Sequence, residues 1–305
     1  MKSPVFVALA ISAMSLASYA EPNKVEKVAE GVYFHEGDIQ HSGHCNNGWI
    51  VFKDYVLVID ANFPSGAEVV IPKIRKTTDK PIKFVFDTHQ HGDHAYGNQT
   101  FANAGAVPVA HEGVLEAFRN FEPQRWNDMA KGRKDVAASK PKAPTLLFRR
   151  DMIFDDGEHR VELLHFGVAH THGDGFAWLP KEKILFTGDA CVNGPYNYAG
   201  DGDIGQWINT LAAAQKLGAE KICPGHGPMG EGIVIEDQRN FFIALRDGVN
   251  AWKNAGKTAA QAKESVSALK ETISKNEKLA RYVGDFFNDQ AEKAWKEFGG
   301  EAFPK

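Results

Sequence analysis

Three histidines and an aspartate fall within six residues, in the phrase His89-Gln90-His91-Gly92-Asp93-His94. Packed together, such side chains repel one another when protonated and cost desolvation when buried. A divalent cation removes the conflict, because neutral imidazole nitrogen and carboxylate oxygen are both ligands for it. Residues two apart in an extended segment share a side, so His89 and His91 can face one ion. Asp93 and His94 can then turn toward a second. Three further phrases carry candidate ligands beside small residues that permit close backbone approach. They are Ala169-His170-Thr171-His172, Thr187-Gly188-Asp189-Ala190 and Pro224-Gly225-His226-Gly227. By spacing alone, His170 and His172 compete for one place.

The elements that must position these phrases are short apolar runs. Residues 83–86 precede the first phrase, 161–166 the second, 184–186 the third and 221–223 the fourth. Each run has the composition of a buried strand. The exit of a strand is where ligands gather in layered α/β folds. Further strands are expected at residues 31–34, 49–60, 145–148, 152–154 and 176–179. Turns are expected at Lys53-Asp54 and Asp155-Asp156-Gly157. Helices are expected at 67–76, 112–121 and 208–217. Residues 122–145 contain Pro123, Gly132, Pro141 and Pro144, and 121–150 hold eight Lys or Arg against three acids. That stretch reads as a solvated loop with a little helix. In the tail, Phe242, Leu245, Val249 and Trp252 lie on one helix face. Gly256 supplies a stop, and Thr258 with Gln261 resembles a capping box for a second helix. Leu279, Val283, Phe286, Phe287 and Trp295 suggest a third.

The four phrases, in this order, resemble those of the metallo-β-lactamase superfamily, over roughly residues 30–230. The resemblance implies an α+β fold, a four-layer αβ/βα sandwich with the metals at one edge of two sheets, followed here by a helical C-terminal segment. It implies that His89, His91 and His170 hold one metal. Asp93, His94 and His226 would hold the other, with Asp189 bridging. The family pattern selects His170 over His172, which is left at the rim. It also implies a metal-dependent hydrolase that cleaves an ester, thioester, lactone, lactam or related bond with a bridging hydroxide. Asp93 doubles as the catalytic residue that steers the water proton. Two divalent ions are expected, zinc first, with iron or manganese compatible with the same donors. Asp189 stands where true β-lactamases usually have Cys or Ser, which places β-lactams below other substrates. An iron-dependent persulfide dioxygenase is the alternative of another class; it would leave some of the seven ligands unused. Residues 38–47 lie where the family often has a loop over the cleft, so His44 is an expected substrate contact. Tyr196 and Tyr198, on the loop 193–203, are expected contacts too, as donors to a developing oxyanion. His35, His111, His159 and His165 read as surface or satisfied core residues.

Composition bounds the rest. The 305 residues are 43% hydrophobic and 24% charged, with a net charge of −4, ample for one sizeable core. No basic face points to nucleic acid, so the expected partner is a small molecule. Lys2, an apolar run over residues 5–17 and Ser18-Tyr19-Ala20 describe a signal peptide cut after Ala20. The expected location is therefore periplasmic or secreted, with no membrane insertion after cleavage. The expected organisation is residues 1–20 as leader, 21–232 as the metal-binding domain and 233–305 as a helical subdomain packed on it. Cys45, Cys191 and Cys223 are too few for a disulfide framework.

Overall fold

The computed structural model describes residues 21–304; the expected leader lies outside them. Seven strands form a first sheet, ordered β1 to β7 as in the chain. They are Val25–Ala29, Val32–His35, Asn47–Val51, Val56–Ile59, Ile82–Asp87, Val107–His111 and Leu146–Phe148. β1 to β4 pair antiparallel, and β4 to β7 run parallel. The second sheet holds β8 (Asp151–Asp155), β9 (Arg160–Leu164), β10 (Phe176–Leu179), β11 (Ile184–Gly188), β12 (Lys221–Pro224) and β13 (Gly230–Glu231). Its order is β13-β12-β11-β10-β9-β8, with only β11 and β12 parallel.

The inner faces of the sheets meet through Phe34, Ile50, Phe86, Leu163, Leu179 and Phe186, all buried. Such strands bury both faces, which is why they read as continuous apolar runs. On the outer face of the first sheet lie α1 (Pro64–Arg75), α2 (Gly92–Ala95) and α3 (Asn98–Asn103). Val70 and Ile74 of α1 and Phe101 of α3 pack there against Trp49, Val58 and Val85. The outer face of the second sheet is covered by α7 (Ile204–Gln215), α8 (Ile233–Asn254), α9 (Ala259–Ser274), α10 (Glu277–Ala280) and α11 (Phe287–Glu297). Trp178 and Leu185 share one core with Trp207, Phe242, Val266 and Trp295. The C-terminal helices are therefore continuous with α7 in a fourth layer. Thr258 and Gln261 form the reciprocal capping box at the start of α9, and Gly256 takes a left-handed φ of 68° before it. The expected third tail helix is two pieces, α10 and α11, separated by residues 281–286.

The stretch expected to be a loop is the main correction. After α4 (Glu112–Asn120), residues 122–137 are almost entirely helical, as α5 (Glu122–Gly132) and α6 (Lys134–Ala137). Pro123 sits in the first turn of α5, where its missing N–H costs nothing, and Gly132 falls at its last residue. The two apparent breakers thus bound a helix. Trp126 anchors it, with its ring 4.5 Å from that of Tyr96. No helix among the described residues is long and apolar enough to cross a membrane.

Candidate metal centre

Each ligand phrase leaves the end of a strand at the same edge of the sandwich. Thr88-His89-Gln90 follows β5, Asp189 follows β11, and Gly225-His226 follows β12. His94 lies on α2, one turn beyond His91. His170 lies on the irregular segment between β9 and β10. Two glycines are needed for this convergence. A Cβ on Gly225 would stand 2.2 Å from Asp189 Oδ1, and Gly188 combines a φ of 49° with close approach to Thr88.

Donor atoms of His89, His91 and His170 lie within 4.8 Å of one another, as do those of Asp93, His94 and His226. Asp189 sits between the groups. Its Oδ1 is 3.4 Å from His94 Nε2, and its Oδ2 is 3.3 Å from His226 Nε2 and 3.6 Å from His170 Nε2. His172 is exposed at the surface and outside both groups.

Hydrogen bonds behind the rings fix which nitrogen is bare. His94 Nδ1–H donates to Asp60 Oδ2 at 2.9 Å. His91 Nε2–H donates to Asp201 Oδ2 at 2.7 Å. His170 Nδ1–H donates to the Tyr198 carbonyl at 2.7 Å. Thr88 spends its hydroxyl proton on Asp60 Oδ2, so His89 Nδ1–H donates to Thr88 Oγ1 at 3.1 Å. The opposite nitrogens then face one another as lone pairs, 3.2 Å apart for His89 and His91 and 2.9 Å for His170 and His91. Buried lone pairs at this range repel, and a cation between them turns repulsion into ligation. Asp189 Oδ1 is buried without a hydrogen-bond partner, a second sign that the donor set fits a metal.

Protonation tells the same story. Burial and neighbouring imidazoles hold His89 well below its ordinary range and His170 at about 3. Against burial, Cys45 and the carboxylates of Asp189, Asp93 and Asp60 raise His94. Asp189 and Asp93 bring His226 to about 9. Buried Asp189 and half-buried Asp93 themselves stay low despite desolvation, because His94 and His226 face them. His89 and His170 refuse protons while His94 and His226 attract them, a conflict that divalent cations resolve.

The ligands floor a cavity of about 770 Å³. Tyr196 and Tyr198 line it. His44 does not: it is buried and its Nε2 bonds Ser65 Oγ at 2.9 Å at the start of α1. Its loop reaches the cavity through Ile39 instead. Asn46 of that loop pins the His226 turn, donating to the carbonyls of Pro224 and Gly227. All three cysteines are free and buried.

Comparison with known proteins gives the family. The metallo-β-lactamase superfamily model matches residues 42–226, more than half of the chain. The chain belongs to the metallo-β-lactamase superfamily. Within the superfamily it is a metallohydrolase. It is 24% identical over 248 residues to "Metallo-beta-lactamase type 2" of Elizabethkingia meningoseptica, covering 77% of this chain and 92% of that protein. It is 23% identical over 195 residues to the "Beta-lactamase-like protein 2 homolog" of Caenorhabditis elegans, covering 58% of this chain and 54% of that protein. The chain thus spans about half the length of that second relative. The solved metallo-β-lactamase from Pontibacter korlensis shares the fold, with a TM-score of 0.60 at 21% identity over 72% of this chain and 98% of that one.

Several residues of the site lie outside the four ligand phrases of the sequence. Asp60 receives the Thr88 N–H and hydroxyl as well as His94, so one carboxylate orients both halves of the motif. It closes β4 as the known phrases close their strands, which is the signal that could have found it. Asp201 orients His91 and also receives Arg125 at 2.6 Å. Its flanking Gly200 and Gly202 were its only mark. Asn197 is fully buried under the tyrosine loop. Its side chain donates to the Tyr282 carbonyl and accepts from Gln238, and its carbonyl accepts from Gln290.

Proposed function

We propose that this metallohydrolase holds two zinc ions and cleaves an ester, thioester, lactone or lactam bond. The convergence of two three-ligand groups on the central Asp189 carries the reading. His89, His91 and His170 would hold one ion and Asp93, His94 and His226 the other, with Asp189 shared. When bound, the pair supplies Lewis acidity and lowers the pKa of water toward neutrality. The chain's own residues do the rest. Asp93 Oδ2, 3.1 Å from His226 Nε2, faces the cavity and is placed to take a proton from the attacking water. Asp60 and Asp201 hold His94 and His91 in the ligating tautomer. The Tyr198 ring covers His91 and His170 at 5.8 and 6.1 Å, shielding the pair from solvent. Its hydroxyl and that of Tyr196 are the donors available to a developing oxyanion. We further propose that the mature chain is exported after cleavage behind Ala20, which N-terminal sequencing of the secreted product tests.

The test is metal content on the mature chain, paired with a panel of small esters, thioesters, lactones and lactams. Near two zinc per chain and chelator-sensitive turnover of one bond class are expected. A single iron, no hydrolysis and oxygen uptake with a persulfide would replace the reading with the dioxygenase. The lactams belong in the panel because the relative from Elizabethkingia meningoseptica bears that name.

A further inference from the structure

Beyond the bond that is cut, the walls of the cavity select what is attached to it. Resting on the hydrolase reading, we propose that the substrate carries a bulky, uncharged apolar group, alkyl or aryl, seated between α5 and Phe286, and that anionic groups are refused there.

Four observations carry this. First, a cavity of about 770 Å³ is within the range that encloses a drug-sized ligand, and more than a small acyl group fills. Second, the described residues include eight large hydrophobic side chains left exposed; three of them, Met129 at 39%, Tyr198 at 36% and Phe286 at 37%, line this one cavity. Exposed apolar side chains gathered at a concave site mark a binding surface rather than chance exposure. Third, the apolar wall begins at the reacting centre. Tyr198 touches the rings of His91 and His170 on one side and Phe286 on the other, at 5.6 Å between centroids. Phe63 and Tyr96 continue it opposite, 6.1 Å apart. Tyr96 presents only its ring, since its hydroxyl donates to Glu122 at 2.7 Å.

Fourth, the charged lining residues beyond the ligands do not welcome an anion. Glu122, Asp128 and Asp201 are carboxylates, and Arg125 is the one Lys or Arg among the lining residues. Its guanidinium is already engaged by Asp201 at 2.6 Å and Glu122 at 3.1 Å. A substrate carboxylate at this wall would have to displace one of them. The wall is also preformed. Residues 281–286 are tied to the tyrosine loop through Asn197 and Tyr282, and Phe286 lies well outside the segment that matches the superfamily. The Phe286 side of the wall is therefore supplied by a segment that lies outside the superfamily match, while α5 lies within it.

The experiment measures binding apart from turnover. Calorimetry on the zinc-loaded full mature chain compares two uncleavable amides of equal length, one ending in phenyl and one in carboxylate. The matched esters are assayed alongside. The phenyl amide is expected to bind at least about tenfold more tightly, the gain from burying one aromatic side-chain equivalent. Met129→Ala and Phe286→Ala should each cut that preference about threefold or more, and Met129→Lys should tighten the carboxylate amide, with Tm confirming that each variant folds. Equal affinities, a tighter carboxylate amide, no binding of either, or a preference untouched by the variants would overturn the proposal. Discrimination between the amides, with no ester, thioester, lactone or lactam of the panel cleaved, would sink the hydrolase reading alone.

Discussion

At the floor of the cleft, His89 and His94 are fully buried, and four of the five ligating imidazoles have a hydrogen bond behind the ring. On the wall, Met129, Tyr198 and Phe286 are each more than a third exposed, and none of their side chains makes a hydrogen bond in the structure. The floor comes from strand ends of both sheets; the wall comes from α5, the loop after β11 and the segment before α11. A metal tolerates little error in ligand direction, so its donors must be held from behind. An apolar contact has no direction, so the wall needs only shape and a fixed backbone. The floor thus carries the chemistry and the wall the choice of substrate.

The comparison breaks first, if it breaks, at Asp189. Asp189→Ala removes the carboxylate that faces both ligand groups, and about a 10³-fold or greater loss of hydrolysis is expected, as for loss of a principal electrostatic stabiliser. Metal content should fall below two per chain while circular dichroism stays native. Full activity with one ion would show that the second group of ligands is not catalytic.

Next come the residues behind the floor. Asp60→Asn leaves His94 without a carboxylate partner, and about a 10–100-fold loss in metal affinity is expected, read by competition with a chromophoric chelator. Asp201→Asn should cost less, because Asp201 is partly exposed where Asp60 is buried. The reverse order would mean that Arg125, not burial, sets the geometry.

The wall should respond differently. Asn197→Ala removes the side-chain link from the tyrosine loop to α8 and to residues 281–286, while the backbone bond from Gln290 of α11 stays. It leaves Gln238 and the Tyr282 carbonyl short of a partner, at about 1–3 kcal/mol of stability. A KM raised several-fold with two metals retained is expected from steady-state assay. A loss of metal instead would show that floor and wall are one unit.

The smallest effect concerns the support beneath the His170 segment. His111 caps α4 by accepting the Gly113 N–H on Nδ1, and its Nε2–H donates to the Arg149 carbonyl. The Nδ1 bond requires the neutral ring, since a protonated Nδ1 cannot accept; the Nε2–H bond is made by either form. Burial and His165 lower its pKa from 6.5 to about 4. The folded state resists a proton that the unfolded chain accepts, so stability falls as pH drops from about 6.5 to about 4 and is unaffected above. His111→Asn keeps a cap acceptor and should flatten that part of the Tm-against-pH curve. Parallel curves for the two proteins would refute the assignment.

Legibility follows the same division. The seven candidate ligands stand out because each belongs to a short phrase of His, Asp and small residues, a feature local to a few positions. Asp60, Asp201 and Arg125 do not, because their partners lie 34, 110 and 76 residues away. His44 misled because a polar loop residue near a cleft has no local mark saying which way its ring turns; Ser65 decided that. The helix α5 was hidden by proline and glycine at its ends, where they bound a helix rather than break one.

By itself the sequence determined the strand order's raw material, the ligand types and their superfamily, since periodicity and short motifs depend only on near neighbours. The tertiary structure alone decided which nitrogen of each histidine is bare, which acid stands behind it and which apolar side chains remain uncovered. Those depend on contacts between segments far apart in the chain, and only packing brings them together.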